Sequence, residues 1–182
     1  LLASHDIKNI LIEKNSSTVK EPRAVSIDDE SLRVIQSLGL INKFINKISL
    51  DCGSYYFSPN GRIFATINPS SKLYGFPKRN SFDQPDLEDL LLKNLLVKYK
   101  LNVFFDTKFL NFYQNKDIIC SKVISKKNKF QISSKFIVGC DGANSILRKL
   151  LNIKLLGSSY KEKWLILDLF NSSNKFRHTQ VF

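Results

Sequence analysis

The sequence predicts an α/β fold: a doubly wound, Rossmann-like sheet with a β-meander, plus part of a β-rich second domain. Three observations predict it. The run Phe136-Ile-Val-Gly-Cys140 is an apolar strand that enters Asp141-Gly142, and a short helix carrying Ser145 and Arg148 follows. Asn9-Ile-Leu-Ile-Glu13 is a second apolar run closed by an acid, with a helical remnant, Leu1–Ser4, ahead of it. Between these two runs the helical texture gives way to β-rich segments, the alternation of a two-layered α/β core with an inserted sheet.

The intervening elements follow in order. After a loop through Pro22, Asp28 caps a helix whose apolar positions Leu32, Ile35 and Leu38 recur at helical spacing and whose stop is Gly39. Leu40–Ile48 supplies another turn or two. Tyr55 to Ile67 is a hairpin around Asn60-Gly61, a strong short-range turn signal. Pro69 to Asn80 is a loop. Gln84-Pro85 opens a helix over Asp86–Lys100 with Leu87, Leu90, Leu91 and Leu95 on one face. Val103–Phe105, Lys108–Gln114, Ile118–Ile124 and Phe130–Ser133 are strands leading to the buried strand Phe136–Cys140, and Trp164–Phe170 is strand-like again. The domain reading is 1–54 with 80–156 for the cofactor-binding α/β part, and 55–79 with 157–182 for the partial β-rich, substrate-facing part.

Composition bounds the function. A hydrophobic share of 43% with 14 Phe suffices for a globular interior. No apolar run reaches the roughly 20 residues that cross a bilayer, and no membrane span is expected. The net charge of +12 comes from 22 Lys and 6 Arg against 16 acids. The only tight basic cluster, Lys126-Lys127-Asn128-Lys129, reads as a hairpin tip, so no nucleic-acid partner is expected. Cys52, Cys120 and Cys140 show no metal or redox spacing, and His5 and His178 stand far apart. The expectation is a reduced, cytoplasmic setting with no metal. Met is absent and the chain opens on Leu-Leu-Ala-Ser, as an internal fragment would.

The chemistry gathers at strand ends, where α/β sheets bind ligands. An acid in the place of Glu13 accepts hydrogen bonds from ribose hydroxyls about 20 residues after a glycine-rich turn, which here belongs before Leu1. Arg23, in Glu-Pro-Arg-Ala, offers a bidentate guanidinium to a pyrophosphate. The amide of Gln84 reads either as a cofactor contact or as a polar residue at a helix start. Asp141, repelled by phosphate, suits a sugar or ribityl hydroxyl, a water, or the amides of its own turn. Gly142 opens the backbone to a ligand, the helix start at Ala143–Ser145 offers free N–H groups to a phosphate, and Arg148 either anchors the turn or reaches a cofactor.

These residues together resemble the flavin-dependent aromatic hydroxylases, the para-hydroxybenzoate hydroxylase-like monooxygenases. Within that family the sequence is most similar to the 3-(3-hydroxyphenyl)propionate hydroxylases. The resemblance rests on Pro22-Arg23-Ala24, Ile27-Asp28-Asp29-Glu30, Ser58-Pro59-Asn60-Gly61-Arg62, Phe76-Pro77-Lys78-Arg79-Asn80-Ser81-Phe82, Gln84-Pro85 and Trp164-Leu-Ile-Leu-Asp168. It implies that FAD is the cofactor and NADH or NADPH the co-substrate. Glu13 would bind the adenosine ribose, and Arg23 and Gln84 the pyrophosphate–ribityl region. Asp141 and Arg148 would serve the site shared by flavin and nicotinamide, with Lys14, Gly142 and Ser145 completing the contacts. The partners implied are a small aromatic substrate and molecular oxygen. Reduced flavin would form a C4a-hydroperoxide whose distal oxygen passes to a phenolic ring, so no protein nucleophile is needed and no catalytic residue is named. The alternatives are an FAD-fold halogenase or isoprenoid reductase, or a non-catalytic basic binding module. The family's glycine-rich loop and its later Gly-Asp motif fall outside the 182 residues, and oligomeric state is open.

Overall fold

The structure, a computed structural model, describes residues 1–126, 128–167 and 176–182. A 3-10 turn, Leu2–His5, comes first. The elements then run β1 (Ile10–Ile12), β2 (Ser26–Asp28), α1 (Asp29–Ser37), α2 (Ile41–Phe44), β3 (Ser54–Phe57), β4 (Ile63–Ile67), β5 (Arg79–Ser81), α3 (Gln84–Val97), β6 (Asn102–Phe104), β7 (Thr107–Asn115), β8 (Ile118–Ser125), β9 (Asn128–Ser134), α4 (Ile146–Leu150) and β10 (Thr179–Val181). They fold as two compact units. One comprises Leu1–Asn9, Thr18–Leu101 and Phe170–Phe182, the other Ile10–Ser17 and Asn102–Leu169.

The first unit is built on α1. Asp28 Oδ1 accepts the Ser31 amide at 2.8 Å and satisfies one of the amides that the first helical turn leaves free. At the other end the Leu40 amide bonds the Ile35 carbonyl and the Gly39 amide bonds that of Gln36, with Gly39 at φ +73°: a Schellman stop. Leu32 and Ile35 then face inward, where Ile27, Leu40 and Phe44 complete a buried cluster. Leu87, Leu90 and Leu91 of α3 pack on that cluster, as their spacing predicts. β2 pairs antiparallel with β5, a short strand that begins in the last two residues of the expected loop and runs one residue past it. A separate three-stranded sheet runs β10-β3-β4, with β3 antiparallel to β4 and parallel to β10.

The β3–β4 reversal differs in detail from a two-residue Asn-Gly turn. Gly61 donates to the Ser58 carbonyl at 2.8 Å, Pro59 is second in the turn, and Gly61 at φ +79° is the one left-handed residue. That is a type I turn closed by a bulge glycine, favoured by a proline in the second position.

In the second unit, β1 and β6 pair in parallel, Ile10 opposite Asn102 and Ile12 opposite Phe104. β7, β8 and β9 form the expected antiparallel meander. Ile119, Ser121 and Val123 of β8 are buried in alternation, the period of a strand with one covered face. The expected strand Phe136–Cys140 does not form: the segment has no strand pairing, and Phe136 and Val138 are 83% and 70% exposed. Its apolar run records a burial that needs sheet neighbours on both sides, and the parallel sheet of this unit has two strands among the described residues. Trp164–Leu167 likewise forms no strand, while Asp168–Phe170, the rest of that expected strand, and Lys127 lie outside the described residues.

Asp28→Ala is expected to cost about 1 kcal/mol of unfolding free energy, the usual worth of such a cap. The Ser31 hydroxyl first, and the Ser31 amide next, hold the Asp28 carboxyl below the ordinary carboxylate range. The stabilisation from its charge is therefore present above the unfolded value of about 3.9 and is lost as pH falls through the lower folded value. Denaturant melts of Asp28→Asn between pH 2 and 7 should show a flatter acid limb than the unaltered protein.

Candidate functional site

The strand-end acid belongs to the second unit. β1 ends at Ile12, and the next residues stay tied to the β6–β7 turn: the Glu13 amide donates to Phe104, the Thr107 amide to Glu13, and the Asp106 amide to Asn15. Asp106 sits at φ +49°, a left-handed conformation that aspartate tolerates in turns. One Glu13 oxygen, Oε1, accepts the Asn15 amide at 2.8 Å. The other carboxylate oxygen has no partner among the described residues. Lys14 is exposed beside it.

In the first unit, Arg23 and Gln84 come together. Gln84 Oε1 accepts both the Arg23 and the Ala24 amides, at 2.9 and 2.8 Å, while its Nε2 donates to Glu88 Oε1 at 2.7 Å. Glu88 in turn accepts the Val19 amide through its other oxygen. The first two turns of α3 thus grip the loop 19–24 through its backbone. The Arg23 guanidinium is exposed and makes no hydrogen bond or ion pair among the described residues. Of the two readings of Gln84, the geometry supports the structural one: its amide is already engaged in fixing the arginine loop.

The Asp-Gly corner is also largely self-satisfied. Asp141 Oδ2 accepts the Ile146 amide at 2.7 Å and the Leu147 amide at 3.3 Å. Ser145 is the N-cap of α4 and accepts the Arg148 amide at 3.0 Å. The Ser145 hydroxyl chiefly, then the Leu147 and Ile146 amides, hold the Asp141 carboxyl below its usual range. Arg148 Nη1 donates to the Ile153 carbonyl and Nη2 to that of Ala143, bracing both ends of α4, while its Nε is buried without a partner. Gly142 is at φ +73° with open space where a Cβ would stand, so backbone conformation, not close approach, requires glycine here. Gly139 is the crowded one, since a Cβ there would lie 2.9 Å from Leu147 Cδ2.

Three polar residues with no assigned role in the sequence prove central to the first unit. Arg79 Nη1 donates to the Gly53 carbonyl at 2.7 Å and to Ser54 Oγ at 2.9 Å, and Nη2 to Thr179 Oγ1 at 3.0 Å. Asn80, wholly buried, joins Asp51, Ile27 and Pro77 through backbone groups. His178 Nδ1 accepts the Gly53 amide at 2.6 Å. The one sequence signal was the run Phe76–Phe82, which carries two of them.

Parallel strands ending in an acid, a pinned loop that presents a bare arginine, and a capped Asp-Gly corner are the parts of an α/β nucleotide-cofactor domain. Comparison with known proteins names the class. The chain belongs to the FAD binding domain family, whose pattern matches residues 1–181. Over 171 residues it is 29% identical to the 3-(3-hydroxy-phenyl)propionate/3-hydroxycinnamic acid hydroxylase of Escherichia coli (strain SMS-3-5 / SECEC), and the same holds for that of Shigella sonnei (strain Ss046). The matched region is 93% of this chain and 31% of each relative, so the chain spans about a third of their length. Among solved structures, the flavin-dependent monooxygenase PieE, crystallised with FAD and substrate, shares the fold with a TM-score of 0.76 at 19% identity, over 86% of this chain and 30% of that one. The p-nitrophenol 4-monooxygenase PnpA of Pseudomonas putida DLL-E4 does so at 0.75 and 17%, over 82% and 38%. Each unit by itself carries a group whose chemistry fits FAD: Glu13 has one carboxylate oxygen, and Arg23 its guanidinium, without a partner among the described residues.

Gln84→Ala should release the loop without unfolding α3. Amide exchange at Arg23 and Ala24 is expected to quicken roughly tenfold, the equivalent of about 1.4 kcal/mol of lost hydrogen bonding, while the inward-facing turns of α3 keep their protection.

Proposed function

We propose that this protein is an FAD-dependent, NAD(P)H-using monooxygenase that hydroxylates a phenolic or related aromatic acid. The observation that carries the reading is the loop 19–24. Two acceptor oxygens of α3, Gln84 Oε1 and Glu88 Oε2, hold its backbone through three hydrogen bonds, and its arginine side chain is left unengaged among the described residues. A guanidinium preset in this way loses little freedom on meeting a pyrophosphate, which is the condition for tight bidentate binding. The family match and the named reaction of the hydroxylase relatives support the same conclusion.

In this reading Arg23 binds the FAD pyrophosphate and Glu13 receives ribose hydroxyls on its open oxygen, with Lys14 adding positive potential nearby. Gln84 acts by positioning Arg23. Asp141, Gly142, Ser145 and Arg148 frame the start of α4 and border the region where flavin and nicotinamide meet. Bound flavin supplies the redox and oxygen-activating chemistry, and the protein's part is to bind, orient and exclude water. Residues 1–54 and 80–156 serve the cofactor, and 55–79 with 157–182 belong to the substrate side. Molecular oxygen is the second substrate. The three unpaired cysteines, Cys52, Cys120 and Cys140, accord with a cytoplasmic setting.

Titration of FAD into apoprotein, followed by flavin fluorescence, tests the assignment. Arg23→Ala is expected to weaken FAD binding roughly 10- to 100-fold, and Arg23→Lys to recover only part of it, since an ammonium lacks the two-pronged geometry. Unchanged affinity in Arg23→Ala overturns the role given to the loop. NAD(P)H oxidation that depends on a phenolic acid and yields a product with one added oxygen separates hydroxylation from other FAD chemistry.

A further inference from the structure

The grip of α3 on the loop 19–24 has a direction built into it. At one end the Val19 amide donates to Glu88 Oε2 at 3.1 Å. At the other, the Arg23 and Ala24 amides donate to Gln84 Oε1 at 2.9 and 2.8 Å. Main-chain N–H groups donate and cannot accept, so the two side chains must turn an acceptor outward at each end. Between the ends they bond one another, Gln84 Nε2 donating to Glu88 Oε1 at 2.7 Å. They stand four residues apart on α3, the spacing that places side chains on one helix face.

Those requirements fix the chemistry of the pair. Two acceptors facing outward, with a donor meeting an acceptor in the middle, need one amide and one carboxylate. Two amides would set NH2 against NH2, and two carboxylates would set charge against charge. The shape of a glutamine amide barely distinguishes its two ends, so bonding alone decides which way Gln84 points. Turned about, its NH2 would meet the Arg23 and Ala24 N–H groups. Glu88, with Oε1 open to a donor, holds the NH2 on the helix side. Both side chains are half-buried, where an unmatched donor costs more than it does in open water.

We propose that Glu88 is a positioning residue for the cofactor loop: it fixes the direction of the Gln84 amide, and through it the backbone that carries Arg23. The proposal rests on the flavoenzyme reading above for what Arg23 then binds. What matters is the complement of one amide and one carboxylate, whichever of the two positions holds each.

Exchanging the two groups tests this. Glu88→Gln leaves two amides, and Gln84→Glu leaves two carboxylates. The double variant carrying both substitutions returns one of each in reversed order, at the net charge of the unaltered protein. Without FAD, Glu88→Gln is expected to speed amide exchange roughly tenfold at Val19 or at Arg23 and Ala24, since one end must give way. Gln84→Glu should do likewise. The double variant should bring all three amides back to within about twofold of the unaltered protein. Full protection of all three amides in Glu88→Gln overturns the proposal. So does a double variant that exchanges as fast as either single one, because bulk or charge at position 88, and not direction, then holds the loop. FAD titration of the same proteins tests the reading beneath: affinity should fall roughly tenfold in the single variants and recover in the double one. The expected exchange pattern at constant FAD affinity keeps Glu88 as the residue that orients the loop and overturns the assignment of Arg23 to the cofactor.

Discussion

Turns at the ends of strands and helices leave backbone amides with no ladder to join, and an amide without a partner costs stability wherever water is excluded. This protein meets that constraint with side-chain oxygens and one imidazole nitrogen. Asp28, Gln84, Glu88, Asn80, Asp141, Ser145, Glu13 and His178 each accept at least one main-chain N–H from a turn or loop. The loops that carry the candidate ligand contacts keep a shape because of these bonds. The side chains that remain without partners, Arg23 above all, are then presented from a fixed base.

The same constraint reorders the roles of the residues. Gln84, Asp141, Ser145 and Arg148 have the chemistry to touch a cofactor, yet each is engaged with the protein itself, chiefly with its own backbone. Glu13 is divided, one oxygen inward and one free. A motif made of strong hydrogen-bonding residues can therefore mark a ligand region while most of its members act one step back, by holding the turn that the ligand meets.

Local patterns carried much of the fold. Asp28, the Leu32–Ile35 spacing and Gly39 bound α1 from sequence alone, because caps, periodicity and a left-handed stop are short-range devices. The meander was legible for the same reason, and so were the positions of Glu13, half-buried just after β1, and of Arg23, exposed in the loop before β2. The segment Phe136–Cys140 was not, since apolar character reports that a strand wants cover and says nothing of whether neighbouring strands supply it. Arg79, Arg177 and His178 were illegible for a different cause. Their partners lie 25 to 127 residues away, and a polar residue with a distant acceptor looks the same in sequence as a solvated one. Their placement is a product of tertiary pairing.

That pairing has a temporal consequence. β10 lies against β3 with Thr179 opposite Ser54, so the sheet edge formed by the early hairpin, complete at Ile67, gains its neighbour only when Thr179 has been synthesised, 112 residues later. At ribosomal speeds of about 5–20 residues per second, the nascent hairpin waits roughly 6–22 s with one rim of amides and carbonyls unpaired. An unpaired rim of this sort recruits foreign strands. The protein's yield in a cell should thus depend on how well that interval is shielded, by slow-translation codons placed sparingly or by a chaperone at the exit tunnel.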